Sequence, residues 1–245
     1  MEWRDEGIVI GVRRHGEHSV IVEAMTREHG RHLGLVRGGR SARLSAALQP
    51  GNTLALVWRA RLDEHLGAFA VEPLALRAAR IMGSALAIAG VNYLGALVRF
   101  LPERDPHKIV YEALALIADC LDDPALAPSF VARFEAQILA ECGFRLDLAR
   151  CAATGARENL AFVSPKSGRA VSAEAGAPWR DRLLPLPAFL REDAEQGDRP
   201  KAEDVADGFR MTGFFLARDL FAARGEALPE SRRLFLAAAA RAGAG

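Results

Sequence analysis

The hydrophobic rhythm of the chain changes once, at Pro73, and that change limits the folds open to it. Before it, apolar residues recur at every second position in five short runs. These are Ile8, Ile10 and Val12; Val20, Val22 and Ala24; Leu33 and Leu35 leading to Arg37; Leu54, Leu56 and Trp58; and Phe69 with Val71. Alternation of this kind sends one set of side chains to each face of a strand. Turn-rich pieces such as Arg14-His15-Gly16-Glu17 and Glu28-His29-Gly30 separate the runs. Five short strands with little helix between them are expected to close into a small barrel, which leaves no exposed edge.

Beyond Pro73 the spacing becomes helical. Ile81, Ala85, Ile88, Val91, Leu94, Val98 and Leu101 fall at steps of three and four. Pro102 and Pro106 bracket a break before a second helix with Ile109, Ala113, Leu116, Ile117 and Cys120. A third carries Phe130, Phe134, Ile138 and Cys142, and residues 201–224 and 231–242 read as two closing helices. Such stripes are expected to be core. The acidic, Pro-containing piece from Glu192 to Pro200 reads as a flexible loop. The expected architecture is therefore α+β and multi-domain. A five-stranded OB-fold barrel occupies residues 1–76 and an α-helical domain residues 77–245, with a zinc-ribbon-like hairpin at 150–177.

The segment Gly34 to Gly51, GLVRGGRSARLSAALQPG, places Arg37, Arg40 and Arg43 at intervals of three beside Gly38 and Gly39. Glycines let a backbone turn sharply and approach a ligand, and arginine forks suit phosphate oxygens. No acidic residue lies between His29 and Asp63, so nothing local neutralises these charges. The net charge of the whole chain is only +1, so this basicity is a patch. With Arg14, Arg27 and Arg31, these three arginines form the candidate set for phosphate contacts. Trp58 and Phe69 are candidates to stack a base, with a core role the stronger reading for Phe69.

With 50% hydrophobic and 26% charged residues, the chain reads as globular. The start, MEWRDEG, has no secretory pattern, and no apolar run reaches bilayer-spanning length. The three cysteines, Cys120, Cys142 and Cys151, are odd in number and widely spaced, which suits a cytoplasmic protein with reduced thiols. Cys142 continues the apolar stripe of its helix and is expected to be buried.

The hairpin region has the shape of a zinc ribbon, but Thr154, Ser172 and Ala175 stand beside Cys151 where ligands would be needed. One thiolate cannot hold a tetrahedral zinc, so no metal and no other cofactor is expected. His15-x-x-His18 and His29-x-x-His32 offer a weaker metal reading, since imidazoles on hairpin turns are ordinarily exposed or near phosphate. Ser164-Pro165-Lys166-Ser167-Gly168 lacks the spacing of an acyl-enzyme Ser-x-x-Lys and reads as a tight turn. A phosphate-binding G-x-x-x-x-G-K-[ST] is absent from the sequence.

Taken together, Gly16-Glu17-His18-Ser19, Thr26 with Gly30-Arg31, the Gly38-to-Arg43 loop, Leu48-Gln49-Pro50, the Ser164-to-Gly168 turn and Ser231-Arg232-Arg233 resemble the RecO family of bacterial DNA-repair proteins. Many members carry two Cys-x-x-Cys pairs where this chain has Cys151/Thr154 and Ser172/Ala175, a departure that bears on zinc and not on the family. The resemblance implies a non-enzymatic recombination mediator that binds single- and double-stranded DNA and anneals complementary strands. It also implies partnership with RecR and the single-stranded-DNA-binding protein in loading the RecA recombinase. Two other readings stand beside it: an adaptor whose basic barrel face recognises an acidic tail, and an enzyme using the histidines.

Overall fold

The computed structural model describes residues 1–191 and 199–242; residues 192–198, within the piece expected to be a flexible loop, lie outside the described residues. The period-two runs become β1 (Glu2–His15), β2 (Ser19–Thr26), β3 (Arg31–Val36), β4 (Thr53–Arg59) and β5 (Ala68–Ala75). They close into a barrel in the order β1-β2-β3-β5-β4. All neighbouring strands are antiparallel except β3 and β5, whose parallel pairing at Leu35 and Ala68 closes the ring. This is the five-stranded, OB-like barrel expected from the alternation, and with the helical region that follows it gives the mixed α and β fold.

Strand β1 is longer than its apolar run. Its first half pairs with β4 from Glu2 to Ile8, and its second half pairs with β2 from Gly7 to His15. The register shift between Val9 and Gly11 lets one strand bend to serve both neighbours. Residues 2–7 escape a hydrophobicity reading because Asp5 turns inward, its side chain only 3% exposed. The carboxylate is satisfied there by the backbone amides of Glu6 and Glu28 at 2.8 and 2.9 Å and by His29 Nδ1 at 2.8 Å.

Val9, Val22, Leu54, Leu56, Trp58 and Phe69 fill the barrel. Trp58 is fully buried, with its indole N–H donating to the Leu66 carbonyl at 3.0 Å, and Phe69 is 4% exposed. Neither can present a ring face to a base, so both expected stacking residues are core. The β2–β3 turn is held by Thr26, whose hydroxyl donates to the Gly30 carbonyl at 2.8 Å. Gly30 has φ 66°, and a Cβ there would lie 1.9 Å from the Asp105 carbonyl oxygen, so only glycine fits.

The chain divides into two compact units, one of Met1–Asp122 with Ser231–Ala238 and one of Asp123–Glu230 with the remaining C-terminal residues. The first unit thus holds helices as well as the barrel: α1 (Ala42–Ala47), α2 (Ala78–Met82), α3 (Ala85–Val98) and α4 (Lys108–Cys120). Helices α3 and α4 both pack on β1. Their buried faces differ from the expected stripes. Leu86, Tyr93, Leu94 and Leu97 point inward on α3, and Val110, Tyr111, Leu114 and Ile117 on α4, while Ile88, Ile109 and Leu116 are exposed.

The second unit contains α5 (Ala127–Glu141), a small sheet of β6 (Leu160–Val163), β7 (Ala170–Ser172) and β8 (Leu184–Pro185) in the order β7-β6-β8, the turn α6 (Ala173–Gly176), and α7 (Ala202–Phe215). After α7 the helix widens over Leu216–Phe221 and tightens over Ala222–Arg224, and α8 (Glu230–Ala242) ends the described chain. Cys142 caps α5 and is half-buried, so the stripe of that helix ends one turn earlier, at Ile138. No helix among the described residues is long and apolar enough to cross a membrane.

Candidate nucleic-acid interface

The six candidate arginines separate into two kinds once the fold places carboxylates beside them. Arg27 lies 3.0 Å from Glu6, 3.7 Å from Glu28 and 3.9 Å from Glu112. Hydrogen bonding to Glu6, only partly offset by burial, holds its guanidinium more firmly protonated than usual. Arg31 is tied more deeply, its side chain 13% exposed, with Glu23 at 2.9 Å, Glu103 at 3.4 Å and the Leu101 carbonyl at 3.2 Å. These two guanidiniums are committed to the protein's own carboxylates and leave the free basic surface.

Arg14, Arg37, Arg40 and Arg43 remain exposed, and none has a carboxylate oxygen within 4.0 Å among the described residues. Arg13 shares both properties and was missed as a candidate. Strand alternation sends neighbours to opposite faces, but β1 has parted from β4 after Ile8 and pairs here with β2, and Arg13 and Arg14 both reach solvent. The Arg-rich segment is not all loop. Ser41 caps the short helix α1, its hydroxyl accepting from the Leu44 amide at 3.5 Å, so Arg43 stands on the first turn of a helix.

The segment is also pinned to the β1–β2 turn. The Arg40 amide donates to the His18 carbonyl at 3.3 Å, and the Arg40 guanidinium donates to the Glu17 carbonyl. Gly38, with φ 67°, makes the necessary reversal. Gly39 brings the backbone so close to β2 that a Cβ would meet Val20 at 2.5 Å.

Two clefts lie along this surface, of about 490 and 460 Å³. Arg14 and Arg40 line the first, with Ser45, Leu48 and Gln49; Arg13, Arg99, Asn92 and Glu23 line the second. Val12 and Pro50 belong to both. The one carboxylate, Glu23, is bound by Arg31 at 2.9 Å and Arg99 at 2.8 Å, so it is screened from an incoming anion. A run of exposed, uncompensated guanidiniums beside a cleft can hold a polyanion through charge-assisted hydrogen bonds.

The remaining candidates do not form chemistry of their own. His15 and His18 are exposed on the β1–β2 turn. His29 stacks on Trp3 at 4.2 Å and meets Asp5, while His32 is buried, which lowers its pKa. The two histidine pairs therefore do not converge. Among the described residues no three His, Cys, Asp or Glu side chains are grouped to hold a metal.

At the hairpin, three of the four ribbon positions do come together. The Ser172 amide donates to Cys151 Sγ at 3.3 Å, and the Ser172 hydroxyl lies 3.4 Å away. Burial raises the Cys151 thiol, but hydrogen bonds from Ser172 and Thr154 outweigh it and bring the pKa down to about 6. Cys151 is itself buried, while residues 152–159 that follow it are all exposed. Ala175, on α6, supplies no donor atom at all. Serine and threonine hydroxyls thus stand where a zinc ribbon needs thiolates, and the set does not fit zinc.

Two family models match nearly end to end: Recombination protein O N terminal over residues 1–76 and Recombination protein O C terminal over residues 82–226. The chain belongs to the RecO family. Among RecO relatives it is 64% identical over 237 residues to the DNA repair protein RecO of Methylocella silvestris, covering 97% of this chain and 95% of that protein. It is 60% identical to the RecO of Chelativorans sp., covering 98% of this chain and 96% of that one. With the RecO of Rhodopseudomonas palustris it shares 56% over 243 residues, covering 99% and 97%. The first RecO family model ends at the last strand of the barrel, whereas the compact unit continues through α4.

Proposed function

We propose that this protein is a non-enzymatic mediator of homologous recombination in the cytoplasm. In this reading it binds single- and double-stranded DNA, anneals complementary strands, and helps load RecA together with RecR and the single-stranded-DNA-binding protein. Family membership and the relatives' name, DNA repair protein RecO, support the role. The observation that carries the DNA contact is the set of exposed guanidiniums without carboxylate partners: Arg13, Arg14 and Arg40 line the barrel clefts, and Arg37 and Arg43 stand on the same segment as Arg40. Phosphates supply the missing counter-charge, and each contact releases condensed counterion from the strand.

The test is fluorescence anisotropy with a labelled single strand across a salt series, for the wild type and for Arg37→Ala/Arg40→Ala/Arg43→Ala. Each phosphate contact contributes about −0.7 to the slope of log affinity against log salt, so the triple variant should flatten it by about 2 units. Binding should weaken alike for every sequence, because phosphate contacts carry no base information. A folded triple variant with unchanged affinity and slope would overturn the barrel site and favour an adaptor that recognises an acidic protein tail.

A further inference from the structure

The second unit repeats, away from the barrel, the pattern of cations without acids. Between Phe144 and Arg191 the chain carries eight Lys and Arg against four Asp and Glu, although the whole chain stands at +1. Six of the eight, Arg145, Arg150, Arg157, Lys166, Arg180 and Arg182, are exposed, and none has a carboxylate oxygen within 4.0 Å among the described residues. Arg169 differs, with Asp147 at 3.2 Å. Asp181 lies between Arg180 and Arg182 in sequence but pairs with neither. No ion pair within the fold accounts for the six charges.

Trp179 stands on the same surface. It belongs to a 3-10 turn, Ala177–Arg182, in which no residue is buried, and it is 56% exposed. The other two indoles differ: Trp58 is core, and Trp3 is half-buried between His29 and Trp58. The Arg182 guanidinium already lies over the Trp179 ring, 5.7 Å from its centre, so the exposed area is what remains open with that cation in place. The turn is tied to the hairpin at both ends. Gly176 approaches β6 so closely that a Cβ there would meet Phe162 at 2.5 Å, and Leu184, two residues past the turn, pairs with Val163. That pairing sets Arg182 at the end of the hairpin where Lys166 stands.

Resting on the reading that this protein binds DNA, we propose that the second unit carries its own contact for an unpaired strand, in which Trp179 stacks a base and Lys166, Arg180 and Arg182 meet the flanking phosphates. Single-stranded nucleic acid answers both features at once, since its phosphates match the cations and every base has a face for the ring. An acidic peptide would answer the cations, but protein partners are anchored in desolvated pockets, and a turn without a buried residue offers a flat ring instead. The contact supplies the stacking that Trp58 and Phe69, as core residues, cannot. In a duplex the bases already stack on one another, so the indole adds affinity for single strands alone.

The test titrates the full-length protein with labelled oligodeoxythymidylate of about 16 nucleotides and with a duplex, and reads acrylamide quenching of the tryptophans in parallel. Trp179→Ala, checked for an unchanged thermal midpoint, should weaken single-strand binding roughly five-fold to a hundred-fold, the worth of one stacked base. Duplex affinity should stay within about two-fold and the salt slope should not move, because no charge is lost. Trp179→Phe should restore most of the affinity, whereas Lys166→Ala/Arg180→Ala/Arg182→Ala should flatten the slope by about 2 units. In Arg37→Ala/Arg40→Ala/Arg43→Ala a saturating strand should still shield an indole from acrylamide, and adding Trp179→Phe should abolish that shielding. Unchanged single-strand affinity in folded Trp179→Ala, or an equal loss for the duplex, overturns the proposal. Shielding of Trp179 by an oligoglutamate peptide but not by the strand overturns it too, and gives the surface to a protein partner. If Trp179→Ala changes nothing while the barrel arginines matter, only this inference fails. If the wild type binds no strand, the DNA reading fails with it.

Discussion

Asn52 is the residue whose removal should cost the barrel unit most per atom lost. It is fully buried, and its side chain joins two helix ends. Nδ2 donates to the Ala46 and Ala47 carbonyls at 3.1 and 2.9 Å, closing the end of α1. Oδ1 accepts from the Arg77 and Ala78 amides at 2.7 and 2.9 Å, opening α2. Asn52→Ala deletes all four bonds. Ala46 is exposed and Arg77 half-buried, so water can serve those two groups, whereas Ala47 and Ala78 are buried and would be left orphaned. Two orphaned backbone groups at about 1–3 kcal/mol each give an expected loss of about 2–6 kcal/mol. Equilibrium urea unfolding measures it, followed by the fluorescence of Trp3 and Trp58, both in this unit, in a Trp179→Phe background that silences the indole of the other unit. A loss under about 1 kcal/mol would show that the two helix ends find other partners and would refute the reasoning.

Glu23→Gln should destabilise the same unit by about 1–3 kcal/mol, because Arg31 and Arg99 lose a charged acceptor whose side chain is 14% exposed. Urea unfolding at high and low salt checks this, and a loss below about 0.5 kcal/mol would mean the guanidiniums regain as much from water. For Cys151, Ser172→Ala should move the thiolate absorbance titration upward from about 6, measured with Cys120 and Cys142 replaced by serine. A thiol whose pKa is depressed on folding adds stability above its unfolded value. That contribution is lost as pH falls through about 6, so the second unit should unfold more easily at pH 5 than at pH 9, and less so in Ser172→Ala.

Most of the barrel was legible because a strand buried on one face must alternate, and five such runs come before Pro73. What stayed hidden was set by partners far away in the chain. The start of β1 reads as polar because Asp5 is an inward carboxylate, sensible only once the β2–β3 turn is folded over it. Helix α1 was masked by the glycines and arginines before it, though Ala42 to Ala47 is rich in good helix formers. Ile109 and Leu116 have the spacing of a buried stripe, yet α4 turns the neighbouring positions inward.

The same rule governs the candidate interface. Arg37, Arg40 and Arg43 could be picked out because an absence of acids nearby in sequence matched an absence of acids in space. Arg27 and Arg31 have acids close by in sequence, Glu28 and Glu23, and the fold adds Glu6 from 21 residues away to the first and Glu103 from 72 to the second.

The sorting of arginines into paired and unpaired sets also determines the range at which this protein can sense a polyanion. With a net charge of +1, its field at a distance is close to that of a neutral body. The free guanidiniums act only within a screening length, about 8 Å at physiological salt. A strand is therefore not drawn in from afar, and encounter should run at the unsteered rate of roughly 10⁵–10⁷ M⁻¹s⁻¹. On the proposed reading, capture of a strand then depends on a correctly turned collision with the surface that carries these arginines.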